Sequence, residues 1–189
     1  MKKLNFVLAF IIMLFGHVII AQKVTVNTEK SSIEWLGKKI GGQHVGTIQL
    51  KSGYIELKDD KIVAGNFVID MASIKNTDLE DEGYNQKLVG HLKSDDFFGV
   101  EKYPTAKFVV TKSSKFSNGK ATVTGDITIK GKTESITFEV TKGNNEYSSK
   151  IDIDRSKFDV RYGSNSFFDN LGDKAINDIF TLNVKLAIN

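Results

Sequence analysis

From Val24 onward the chain alternates: short runs of β-branched and aromatic residues change places with polar ones, and Gly, Asn, Asp and Lys separate the runs. A period of two is the mark of strands with one buried face. Val24 and Val26 predict a first short strand. Ile33, Trp35 and Gly37, alternating with Glu34, Leu36 and Lys38, predict a second, after which Gly41 and Gly42 permit a reversal. His44 to Leu57 reads as a long strand bent at Gly53, since a glycine inside a strand usually marks a bend or bulge. Asp59 and Asp60 form a turn, and Ile62 to Met71 returns with Val63, Gly65, Phe67, Ile69 and Met71 on one parity.

Beyond residue 104 the pattern is cleaner. Thr105 to Lys112 is a strand, and Asn118 with Gly119 is a strong hairpin turn. Ala121, Val123, Gly125, Ile127 and Ile129 then oppose Thr122, Thr124, Asp126 and Thr128. After a turn at Gly131 and Lys132, Ile136, Phe138 and Val140 continue the dry face. Asn144 and Asn145 lead into Tyr147 to Ile153, and Leu182, Val184, Leu186 and Ile188 form a last strand. Arg155 to Asp178, with Phe158, Phe167 and Phe168 among Gly, Ser, Asn and Asp, reads as a long irregular connection over a barrel mouth.

One stretch departs from this period. Thr77 and Glu80 have capping-box spacing, and Leu88 with Leu92 is an apolar i, i+4 pair, so a helix is expected from about residue 78 to 93. Ser94 or Asp95 can cap a further short turn carrying Phe97 and Phe98, before Pro104 returns the chain to an extended path. The expected fold is all-β: eight to ten antiparallel strands, closed into a barrel, with one helical excursion near residues 78–98. Closure into a barrel removes exposed edges, although period two alone is equally compatible with a sandwich. Small inward residues, Gly65, Ala106, Ala121 and Gly125, favour a hollow interior over a filled one.

Composition narrows the setting. Lys2 and Lys3, an apolar run from Phe6 to Phe15 and a small residue at Ala21 describe a cleavable secretory leader over residues 1–21, too short to span a membrane. A single domain is expected over residues 22–189, periplasmic or secreted and without stable membrane insertion. These 168 residues carry 24 basic and 23 acidic side chains, a balance that argues against nucleic acid as a partner. With no cysteine, stability must come from packing.

Candidate chemistry is sparse. Past the leader there are two histidines, His44 and His91, and no metal-protease, nucleophile-elbow or phosphate-loop pattern. Two histidines 47 residues apart make at most half of a zinc site, so no metal and no cofactor are expected. Asp78, Glu80, Asp81 and Glu82 suit a helix start, Asp95 and Asp96 suit caps, and Asp152, Asp154 and Arg155 suit a strand end with an ion pair. Asp154 or Arg155 could instead meet a polar head group at the mouth.

Four blocks in order, KLVGHLKSDDFF (Lys87 to Phe98), KYPTAKF (Lys102 to Phe108), GDITIKGK (Gly125 to Lys132) and IDRSKF (Ile153 to Phe158), resemble the YceI family of exported, lipocalin-like, polyisoprenoid-binding proteins. Gly99 stands where an acidic residue often follows the F-F pair, and the polar segment from Tyr162 to Asp178 is long for the family. The resemblance implies an eight-stranded barrel whose hydrophobic cavity takes up an isoprenoid lipid, a polyprenyl chain or a quinone, often in a homodimer. On this reading Trp35, Phe67, Phe108, Ile127, Ile129, Phe138 and Ile151 form the cavity wall and Phe97, Phe98 and Phe168 its lid, while His91 and Arg155 contact the head group. Two other readings are an enzyme on a lipid-like or stress-derived molecule, with His91 as base beside Asp95 or Asp96, and an envelope protein whose barrel is filled by its own side chains.

Overall fold

The computed structural model describes residues 21–188, so the expected leader lies, but for Ala21, outside them. Eight strands form one closed antiparallel barrel, each bonded to the next and the last to the first. They are β1 (Gln22–Lys39), β2 (Gly42–Lys58), β3 (Lys61–Asn76), β4 (Thr105–Ser113), β5 (Lys120–Ile129), β6 (Lys132–Lys142), β7 (Glu146–Asp154) and β8 (Ile179–Ile188), with helix α1 (Glu82–Lys93) between β3 and β4. The strands run up and down. The β1–β2, β3–β4, β5–β6 and β7–β8 connections therefore gather at one end, here the mouth, and the other three turns at the opposite end. Among the described residues no helix is long and apolar enough to cross a membrane.

Three hairpins turn on two residues with positive φ: Asp59 and Asp60, Asn118 and Gly119, Lys130 and Gly131. These left-handed pairs match the twist of the flanking strands. The β5–β6 turn thus lies one residue before the expected Gly131 and Lys132, and the β1–β2 turn falls on Ile40 and Gly41, with Gly42 already opening β2.

Bulges account for the larger differences from the expected strands. The two strands expected before Gly41 are one, β1, with a register shift between Thr25 and Ile33. There Asn27 folds the chain locally, its Oδ1 accepting from the Lys30 amide and its carbonyl from Ser31 Oγ. In β2 the pairing with β3 shifts between Thr47 and Gln49 and again between Leu50 and Ser52, while Gly53 stays paired with Phe67. One extra residue at the second shift exchanges the inward parity, which is why Ile48, Leu50 and Ile55 are all buried. In β3 Val63 is the extra residue; it points outward, 39% exposed, and Ile62 takes the inward place expected for it.

The helix begins later than expected. Asp81, not Thr77, caps it, accepting from the Tyr84 amide at 2.8 Å. The Thr77 amide instead donates to the Val45 carbonyl, holding residues 77–81 against β2. Buried Asn76 organises this lead-in: its Oδ1 accepts from Leu79, and its own carbonyl accepts from the Asn85 amide group. At the other end Ser94 works through its backbone. Its carbonyl accepts from the Phe97 and Gly99 amides, and Asp95 pairs with Lys102 rather than capping a turn. This tight wrap drives Phe97 and Phe98 into the mouth end of the barrel, where both are buried.

One seam in the wall is short. β5 and β6 stay in register from Lys120 opposite Thr141 to Ile129 opposite Lys132, and β7 and β8 pair along all of β7. β6 and β7 meet only at Thr141 opposite Ser148 and Lys142 opposite Tyr147, extended by one side-chain bond from Ser149 Oγ to the Glu139 carbonyl. Toward the mouth from there, these two strands share no ladder.

Candidate functional site: an apolar barrel cavity

Inward residues of all eight strands enclose a cavity of about 210 Å³. Its wall includes every expected residue: Trp35, Phe67, Phe108, Ile127, Ile129, Phe138 and Ile151. The alternation that predicted the strands also chose their inner faces, because a closed barrel leaves one parity no other place to go. Along β5 the wall runs from Val123 to Ile129, about 20 Å of strand. Leu50, Met71, Val123, Phe180 and Leu182 line it as well and were not chosen from sequence, although strand parity alone identifies Met71, Val123 and Leu182. The cavity also excludes the filled-barrel reading.

An aromatic row crosses the interior: Phe67 and Phe108 have ring centroids 6.2 Å apart, Phe108 and Phe138 5.4 Å. Gly125 makes room for it, since a Cβ there would lie 2.4 Å from Phe108 Cζ and 2.5 Å from the Val109 carbonyl. The missing side chain at Gly125 is therefore filled by a ring and adds no free volume, contrary to the expectation for the small inward residues. Gly46 serves Trp35 in the same way, and the indole Nε1 donates to the Lys75 carbonyl at 3.1 Å, so its one polar group is satisfied.

At the mouth Phe97 and Phe98 sit edge to face at 5.0 Å, and Phe98 reaches Phe180 on β8 at 6.3 Å. Both line the cavity, as expected for a lid. Phe168 does not. It is 49% exposed and lies with Tyr162, Leu171 and Lys174 in a separate outer groove.

Arg155 faces the cavity at 2% exposure, but its head is occupied. Nε donates to the Asn177 carbonyl at 3.1 Å, Nη1 to Val160 and Tyr162 at 2.9 and 2.8 Å, and Nη2 to Ile176 at 3.0 Å. Nη2 also lies 3.3 Å from Asp178 Oδ1, an ion pair without hydrogen-bond geometry. Burial lowers the guanidinium pKa, and the Asp178 and Asp154 charges oppose that shift. Four of its five N–H groups donate to these carbonyls and Asp178 balances its charge, so Arg155 pins the β7–β8 connection over the mouth rather than reaching for a head group. Asp154 is not its ion-pair partner in the strand end; that carboxylate caps the 3-10 turn Arg155–Phe158 through Ser156.

His91 is set back from the cavity. Its ring packs on Tyr162 at 4.3 Å and on Phe97 at 5.8 Å, and its Nε2 is buried without a hydrogen-bond partner. No hydrogen bond joins it to Asp95 or Asp96 among the described residues, so the base and carboxylate of the enzyme reading are not brought together. His44 has a structural partner in Asp78, at 3.0 Å. Burial opposes ionisation of Asp78, yet its bonds from His44, the Val45 amide and Asn76 together hold its carboxyl below the usual value. Among the described residues no cluster of His, Asp and Glu could hold a metal ion.

The YceI-like domain model matches residues 24–188. A UPF0312 protein of Vibrio parahaemolyticus is 32% identical over 125 residues, 59% of this chain and 62% of that protein. Another, of Shewanella denitrificans, is 34% identical over 83 residues, 40% of this chain and 43% of its own length. The chain thus spans less than two thirds of the length of these curated relatives. Among solved structures, BcnA of Burkholderia cenocepacia superposes with a TM-score of 0.65 at 26% identity, covering 85% of this chain and 98% of BcnA. A polyisoprenoid binding domain from Saccharophagus degradans, implicated in plant cell wall breakdown, has a TM-score of 0.58 at 12% identity over 88% of this chain and 97% of that domain, a likeness in fold alone. A match that runs from the start of β1 to the end of β8, on a closed eight-stranded barrel, places the chain in the YceI-like family.

Proposed function

We propose that this protein is an exported carrier that holds an isoprenoid lipid, a polyprenyl chain or a quinone, inside its barrel for transport, storage or sequestration in the periplasm or outside the cell. The observation that carries this reading is the cavity: its wall is almost wholly aliphatic and aromatic, and among the described residues no catalytic constellation faces it. Such a wall suits a branched hydrocarbon. Each buried methylene equivalent contributes about 0.8 kcal/mol, so one five-carbon unit contributes about 4 kcal/mol before ordering costs. A few units therefore give useful affinity, and longer tails add progressively less as affinities saturate. The Saccharophagus domain named for polyisoprenoid binding has the same fold and supports the reading by analogy.

The test is to extract protein purified from its own host with organic solvent, and to measure thermal unfolding with and without added isoprenoid. A carrier yields isoprenoid in the extract and a rise in melting temperature with added ligand. An empty extract together with an unchanged melting temperature would overturn the proposal.

A further inference from the structure

The head group is where isoprenoids differ chemically, and the surroundings of the cavity bear on it at three places. Among the described residues lining the cavity, Arg155 is the only charged one; four of its N–H groups donate to backbone carbonyls, and Asp178, 3.3 Å from Nη2, balances its charge. An anion in the interior would have to displace those carbonyls, leaving them buried and unpaired, or remain without a counter-charge. The two ends offer no wet alternative. Phe97 and Phe98 cover the mouth above Phe180, and at the opposite end Tyr147 is buried with its ring 5.9 Å from Phe116.

The third place is the seam, where the wall lacks a ladder between β6 and β7. The strands bordering it carry Glu134, Glu139, Glu146, Asp152 and Asp154 against Lys132, Lys142 and Lys150, and Glu139 pairs with Lys120 on β5. Lys132 already lies 4.0 Å from Asp159. The polar residues lining the cavity there are Ser148 and Ser149, and the Ser149 hydroxyl already donates to the Glu139 carbonyl. The seam therefore presents no cationic side chain to the cavity and offers a phosphate no counter-charge there.

Resting on the carrier reading above, we infer that the cavity takes an uncharged isoprenoid, a prenol or a quinone, and discriminates against phosphorylated forms of the same chain. A phosphate monoester carries close to two negative charges at neutral pH. Taking an ion out of water without a partner costs several kcal/mol, whereas an uncharged hydroxyl or carbonyl costs far less.

Trp35, the chain's single tryptophan, lies in the cavity wall and reports occupancy directly. The experiment titrates the purified protein with geranylgeraniol and with geranylgeranyl monophosphate, following Trp35 emission at equal salt. The expected result is saturable binding of the alcohol, at least about tenfold tighter than the monophosphate. A preference below tenfold, or for the monophosphate, overturns the inference and leaves the carrier reading standing. Binding of neither overturns the carrier reading and this inference with it.

Discussion

At the scale of single residues, the most consequential side chain is one whose importance a sequence reading locates and whose role it mistakes. Arg155 stands at the end of β7 in a motif that suggests a head-group contact, but its planar fork is spent on the backbone of the connection it pins. No sequence pattern signals this, because the partners are carbonyls, which every residue carries. Arg155→Met should destabilise the protein by about 3–5 kcal/mol, since it leaves buried carbonyls unpaired and removes the counter-charge of Asp178, whose carboxylate keeps only its bond from Ser166. Arg155→Lys should recover only part of that loss, because an ammonium cannot reproduce the fork. Urea unfolding of the three proteins checks both expectations. Asp78 gives a pH-dependent counterpart. Its folded pKa is depressed, so its contribution to stability is present above the unfolded value of about 3.9 and is lost as pH falls through the lower folded value. The melting-temperature gap between the wild type and Asp78→Asn should therefore narrow on acidification from about pH 5 to about pH 2. A gap that stays constant over that range would contradict the role given to this carboxylate.

At the scale of elements, legibility follows whether one residue can shift the pattern. β5 and β6 are uninterrupted, and their inner faces are readable directly from Ala121, Val123, Ile127, Ile129, Ile136, Phe138 and Val140. β1, β2 and β3 contain bulges, and each extra residue reverses the parity beyond it, so Val63 is misplaced while Phe67 and Met71 are not. Bulge positions are set by barrel curvature, which depends on all the strands together and has no local signature at Lys51 or Val63. The helix start fails for a related reason. Thr77 and Glu80 have the spacing of a capping box, but β2 claims the Thr77 amide through Val45, and the helix waits for Asp81. Asp81→Ala should accordingly cost about 1 kcal/mol, and Thr77→Ala, whose hydroxyl reaches Val45 only at 3.4 Å, no more than about 0.5 kcal/mol. Denaturant midpoints of the two variants in the opposite order would restore the sequence-based cap.

At the scale of the whole molecule, an antiparallel all-β chain with one greasy face was legible from the count and alternation of strands, while the closed barrel of eight followed from the family resemblance, since alternation alone also fits a sandwich. What was not legible is what shapes the cavity. Phe108 fills the notch at Gly125, Phe168 points away from the lumen, and β6 and β7 part above Thr141 and Ser148. Each of these depends on contacts between residues far apart in the chain. The central claim is that the lumen exists to be occupied by an isoprenoid. Native mass spectrometry of the protein, purified from its own host without detergent, tests it most directly, and reports in the same spectrum whether the chain forms the homodimer its family suggests. The expected spectrum carries a mass increment equal to an isoprenoid lipid on each chain, released by collisional activation. A spectrum showing only the bare polypeptide, unchanged after incubation with prenols and quinones, would contradict the account.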